Sequence, residues 1–146
     1  MLEARSEERK PRIKSFTDLM AWQAAYKLSL AVYKATSTFP NTENIGLTSQ
    51  MRRSSVSAAS NIAEGFGRSG SKDKEYFYKM ASGSLYELKN QVIIANGLEY
   101  LTNNTYDQLI ELTDRAHKLL HGLLRAHRMS NIDRLTSKGG VHGEDF

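Results

Sequence analysis

The sequence predicts an all-α protein, an antiparallel up-down-up-down four-helix bundle. Three observations carry this. Apolar residues recur at three- and four-residue spacing in four separate stretches, which is the period of a helix with one buried face. No stretch shows the apolar–polar alternation of a strand. The stretches are joined by short runs of Gly, Ser, Asn and Pro, and short connections favour antiparallel neighbours.

The first helix opens after Ser15-Phe-Thr-Asp18, a spacing that lets a serine hydroxyl and a carboxylate satisfy free amides in a capping box. Leu19, Trp22, Tyr26, Leu30 and Tyr33 recur on one face, which reads as the core face, and Pro40 closes the run. Asn41 to Gly46 reads as a polar loop. The second helix spans Leu47 to Arg68, with Leu47, Met51, Ser55, Ala58, Ile62 and Phe66 on one face. Arg53, Ser57, Asn61, Glu64 and Arg68 form a polar stripe beside it. The run Gly65-Phe-Gly-Arg-Ser-Gly-Ser71 breaks the helix, with Ser71 placed to cap the next.

The third helix is expected from about Lys72 to Leu101, with Phe77, Met80, Ser84, Leu88, Gln91, Ala95 and Leu98 on one face. Thr105 and Gln108 are spaced as the capping box of the fourth. That helix carries Tyr106, Leu109, Thr113, Ala116, Leu120, Leu123 and His127 and is expected to fade near Leu135. Ser57 and Gly83 lie equally far from the turn at Gly70. Small residues from Ser54 to Ser60 should therefore face those from Ala81 to Ser84, and the second and third helices should cross closely. Asn61, Glu64 and Gly83 are the residues expected to serve structure or a subunit interface, and the several packing faces of the second helix point to assembly.

At 146 residues and 40% hydrophobic, the chain suits one domain: a basic leader at 1–14, the bundle at 15–136, and a disordered tail at 137–146. No cysteine is present, so disulfides and thiolate metal sites are excluded, as fits a reducing cytoplasm, the expected location. No apolar run approaches the roughly 20 residues of a membrane span, and the N-terminus lacks the apolar centre of a secretory signal.

The net charge is +4, and the excess gathers in the leader and the last helix, a distribution that suits a polyanionic partner. Two surfaces are candidates. One is the turn with Arg68, Lys72 and Lys74, beside a helix N-terminus that attracts phosphate. The other is the stripe Lys118, Arg125 and Arg128, with His121 and Arg134. Arg52 and Arg53 could join the binding surface or a subunit contact. Tyr76 and Tyr78 are the aromatic residues expected to stack on bases, whereas Trp22, Tyr26 and Tyr33 are expected to be buried.

Catalytic and cofactor signals are set aside on chemistry. Gly65-Phe-Gly67-Arg-Ser-Gly70 spells a dinucleotide fingerprint, but that motif works after a strand, and here a helix precedes it. Asp114, His117 and His121 share a helix face, yet a bundle metal site needs further carboxylates from other helices, so no metal is expected. Asn61 and Glu64 have no nucleophile or histidine beside them and read as register-fixing groups. No cofactor and no enzymatic activity are expected.

Several blocks occur in order: Asp18-Leu-x-x-Trp22-Gln, Phe39-Pro40, Gly46-Leu-Thr-Ser-Gln50-x-Arg52-Arg53, Asn61-Ile-Ala-Glu-Gly65 and Gly83-Ser-Leu-x-Glu-Leu88. Together they closely resemble the 23S rRNA intervening-sequence protein family, over roughly Phe16 to Arg128. Members are four-helix bundles often encoded inside intervening sequences of bacterial 23S rRNA genes. The family is related to the pentameric accessory proteins of diversity-generating retroelements, which bind nucleic acid and a reverse transcriptase. The resemblance implies a homo-oligomer, a pentamer, with a basic surface for RNA or DNA and RNA preferred. The expected function is that of a non-enzymatic nucleic-acid-binding accessory protein of little sequence specificity. The alternative is an oligomeric scaffold that docks a partner such as a reverse transcriptase.

Overall fold

The computed structural model describes residues 12–139. Four helices make up the fold: α1 (Met20–Thr36), α2 (Leu47–Gly67), α3 (Ser71–Gly97) and α4 (Asn103–Gly139). Most of the expected leader, 1–11, and the end of the expected tail, 140–146, lie outside the described residues.

Each helix packs on its neighbours in sequence and α4 closes back onto α1, while the diagonal pairs do not meet. Contacts between neighbours run in opposite directions. Across α2 and α3, Arg53 meets Glu87, Ser57 meets Ser84 at 2.9 Å, and Gly65 lies under Tyr78. Across α3 and α4, Lys89 meets Asp114 at 2.7 Å, Ser82 meets His117 at 2.9 Å, and Ser71 meets His127 at 3.0 Å. These ladders are those of antiparallel neighbours, and the small-residue patches of α2 and α3 do face each other.

The glycine that permits the close crossing is Gly65 and not Gly83. A Cβ on Gly65 would stand 2.7 Å from the Tyr78 ring, whereas one on Gly83 would meet nothing within 4 Å. Gly83 lies on the outer face of α3, so it makes no room for α2.

The core differs from expectation most on α1. Ala21, Ala24, Ala25, Leu28, Val32 and Thr36 are buried there. Tyr26, Leu30 and Tyr33 remain about half exposed and Trp22 is only partly covered. Two apolar stripes run along this helix, and the core takes the one with smaller side chains, because alanines allow the close approach that α2's serines and alanines also favour. On α3 the buried set is Tyr78, Ala81, Leu85, Leu88, Gln91, Val92 and Ala95. Met80 and Leu98, expected inside, are exposed. On α4, Leu109, Thr113, Ala116 and Leu120 are fully buried, as their spacing predicts, and Leu124 replaces Leu123 in the core.

The helix ends show where local chemistry was misread. Ser15 and Asp18 do form a capping box, with Asp18 Oδ2 accepting from the amides of Lys14 and Ser15, but on a short 3₁₀ turn before α1. Those two amide bonds hold the Asp18 carboxyl below its usual range. The expected polar loop holds a second 3₁₀ turn at Asn41–Glu43, and Glu43 accepts the Leu47 amide at 2.8 Å to cap α2. Ser71 is the first residue of α3 and not its cap. Thr102, not Thr105, caps α4 by accepting the Thr105 amide at 3.1 Å.

α3 stops at Gly97, before the expected Leu101, because Glu99 adopts φ 62°. There the Tyr100 amide donates to Ala95 O and the Glu99 amide to Asn96 O, the bond pair that closes a helix C-terminus. α4 runs past Leu135 to Gly139 and so beyond its last hydrogen bonds to α3, those of His127 and Arg128.

Candidate nucleic-acid interface

The stripe at the C-terminal half of α4 faces a groove shared with α3. Lys79, Ser82, His121, Leu124, Arg125 and Arg128 line an open cavity of about 400 Å³. Residues 121, 125 and 128 fall on one helical face, so their side chains reach the same groove, and Lys118 lies one turn below them on the α1 side. Lys118 and Arg125 are exposed and have no carboxylate partner among the described residues. Arg128 is paired: its Nε donates to Glu75 Oε1 at 2.8 Å, and Lys79 Nζ stands 3.4 Å from the same oxygen. The Arg128 hydrogen bond, with both cations nearby, holds the Glu75 carboxyl below its usual range.

A histidine pair closes the lower end. His117, buried, shares a hydrogen bond with Ser82, and its ring lies 4.7 Å from that of His121 and 4.1 Å from Tyr86. Burial first, and the neighbouring His121 second, push the His117 pKa down. Asp114 does not turn to these rings but binds Lys89. Among the described residues no group of three metal-binding side chains converges.

The other candidate cations are placed differently. At the α2–α3 turn, Lys74 donates to the carbonyls of Gly65 at 3.2 Å and Phe66 at 2.6 Å, closing the end of α2, and burial lowers its pKa. Its charge is thus engaged at the carbonyl end of α2. Arg68 pairs with Glu64 at 2.6 Å and lies over the Phe77 ring at 4.7 Å, and Lys72 alone at this turn is exposed and unpaired among the described residues. Arg53 bonds Gln50 and Glu87, while Arg52 donates to Thr36 at 2.9 Å and lies 4.6 Å over Tyr33. Asn61 donates to Ser57 within α2. The eight cations thus do not form one surface; Lys118, Arg125 and Arg128 do. Tyr76 is exposed, but Tyr78 is buried under Gly65, with its pKa raised by that burial, and is not available for stacking.

Two features went unread in the sequence. Lys79 belongs to the groove, and Glu75 occupies its edge. Their i,i+4 spacing was visible, but Arg128, fifty-three residues away in the chain, meets Glu75 only through the fold. The second feature is a groove of about 500 Å³ between α1 and α2, lined by Phe16, Trp22, Tyr26, Leu30, Tyr33 and Val56. Trp22 stacks on Tyr26 with ring centroids 5.2 Å apart. A second apolar stripe on α1 was its signal.

Comparison with known proteins fits this architecture. No curated protein matches the chain significantly. A crystal structure of a protein of unknown function from the S23 ribosomal protein family of Bacteroides thetaiotaomicron VPI-5482 has a similar fold, with a TM-score of 0.66 and 16% identity. The match covers 72% of this chain and 95% of that one. The profile of the 23S rRNA-intervening sequence protein family matches residues 17–122, which takes in all of α1, α2 and α3 and half of α4. The chain belongs to the 23S rRNA-intervening sequence protein family.

Proposed function

We propose that the protein is a non-enzymatic, oligomeric accessory protein of the cytoplasm that binds RNA through the α3–α4 groove. The observation that carries this is the convergence of Lys79, His121, Arg125 and Arg128 on one open cavity, with Lys118 alongside. Such a groove follows a phosphate backbone and offers no element that enters a base-pair groove, so binding has little sequence preference and depends steeply on salt. RNA is favoured over DNA by the family to which the chain belongs.

Self-association is assigned to the apolar surfaces. The α1–α2 groove leaves a contiguous aromatic face uncovered, which monomeric proteins seldom do. The end of α4 carries exposed Met129, Ile132 and Leu135 beyond the last hydrogen bond to α3. At about 1.5 Å per residue, this extension points away from its own bundle and cannot fold back onto its own α1. A second copy can cover both surfaces, and repetition of one such unlike contact closes a ring when its rotation divides a full turn. Five subunits is the number the family resemblance implies.

Fluorescence anisotropy with a labelled single-stranded RNA and a DNA duplex, titrated across salt, tests the reading. Arg125→Glu with Arg128→Glu should weaken RNA binding by at least about tenfold near 0.1 M salt. Unchanged binding would remove the groove from the account. An intact oligomer that binds no nucleic acid at low salt would favour the rival, a scaffold that docks a protein such as a reverse transcriptase.

A further inference from the structure

We propose that Glu75 is a built-in competitor for the phosphate site of the α3–α4 groove, so that RNA binds by displacing a carboxylate of the protein itself. The inference rests on the RNA-binding reading of that groove. Its basis is where the carboxylate stands. Glu75 Oε1 accepts from Nε of Arg128 at 2.8 Å and lies 2.8 Å from Nη2 of the same guanidinium. The Nε–Nη2 edge of the guanidinium, one of the two forks that could grip a phosphate, is therefore already used. Lys79 is drawn to the same oxygen at 3.4 Å.

One carboxylate thus engages two of the groove's three strong cations and offsets one of their positive charges. Arg125, one turn before Arg128 on the same face of α4, has no carboxylate partner among the described residues. The arrangement orders the encounter. A phosphate first meets Arg125, with His121 and the Ser82 hydroxyl lining the same cavity. Arg128 then exchanges Glu75 for a neighbouring phosphate, and Lys79 is released with it. Arg128 is half exposed and Glu75 is 30% exposed, so this exchange is cheap, because an ion pair open to water contributes little.

The expected effect is a gain of function. Glu75→Gln should tighten binding of a labelled single-stranded RNA about two- to fivefold near 0.1 M salt. It should also steepen the slope of log affinity against log salt by about 0.7, as one further phosphate is neutralised. Because Gln can still accept from Arg128, Glu75→Ala is measured beside it and should gain at least as much. Glu99→Gln, the same change of charge at the far end of the bundle, serves as the control and should gain less than either. Equal affinities for Glu75→Gln, Glu75→Ala and Glu99→Gln would overturn the inference. If that equality is found while Arg125→Glu abolishes binding, the groove stands and only the competitor falls. If Arg125→Glu leaves binding intact, the reading of the groove and this inference fall together.

Discussion

The α1–α2 groove and the α3–α4 groove occupy opposite sides of one bundle and are of similar size, about 500 and 400 Å³, yet differ in their dominant chemistry. The first is walled by Phe16, Trp22, Tyr26, Leu30, Tyr33 and Val56, with Arg52 resting its guanidinium on Tyr33. The second is walled by Lys79, His121, Arg125 and Arg128, with Leu124 at its floor. An apolar face gains by excluding water and needs a partner of matching shape. A cationic face gains by exchanging counterions and needs only a partner with dense negative charge. The contrast teaches that one small fold can carry an apolar face and a cationic face on different helix pairs, which is why the proposed assembly and polyanion binding would not compete for the same surface.

The largest expected effect breaks the apolar side alone. Tyr26→Glu with Leu30→Glu should reduce the protein to single chains of 16.4 kDa by light scattering, with helical content unchanged, since neither side chain belongs to the core. An unchanged mass would place self-association elsewhere.

A second, smaller effect concerns the α2–α3 wall that separates the two grooves. Gly65→Ala forces a methyl group into the Tyr78 ring and should destabilise the fold by about 1–3 kcal/mol in urea unfolding. Gly83→Ala, in open space on a helix, should stabilise it by up to about 1 kcal/mol. Equal costs at the two glycines would contradict the close crossing.

The smallest effect is a difference in acid response. The His117 pKa is depressed in the folded state, so the unfolded chain takes up its proton first as pH falls. The stability contributed by neutral His117 is complete above its ordinary value of 6.5 and declines as pH drops below it. Melting temperature should therefore begin to fall between pH 7 and 5, and His117→Gln should flatten that limb. Loss that begins only near the carboxylate range, where Asp18 and Glu75 take up protons, would assign the acid response to those groups instead.

Much of the fold was legible because helical period, breakers and loop length all point the same way. The face of α2 from Met51 to Ile62 and its facing of α3 follow directly from spacing and from small residues. The face of α1 was misread because two apolar stripes compete there, and periodicity does not say which one a core of limited width will accept. The same ambiguity hid the α1–α2 groove. The cationic stripe of α4 was legible for a simple reason: Lys118, Arg125 and Arg128 are near one another in sequence. Pairings across helices were not. That Lys74 donates to the last carbonyls of α2 was not legible, and Glu75 became part of the site only when α4 brought Arg128 beside it.

Lysine footprinting tests the division of labour most directly. The protein is acylated with and without saturating single-stranded RNA, and each lysine is quantified by peptide mass spectrometry. The account predicts protection of Lys79 and Lys118, which flank the cationic face, and unchanged reactivity at Lys27 and Lys34, exposed on α1. Protection of Lys27 and Lys34 with Lys79 and Lys118 still reactive would contradict it.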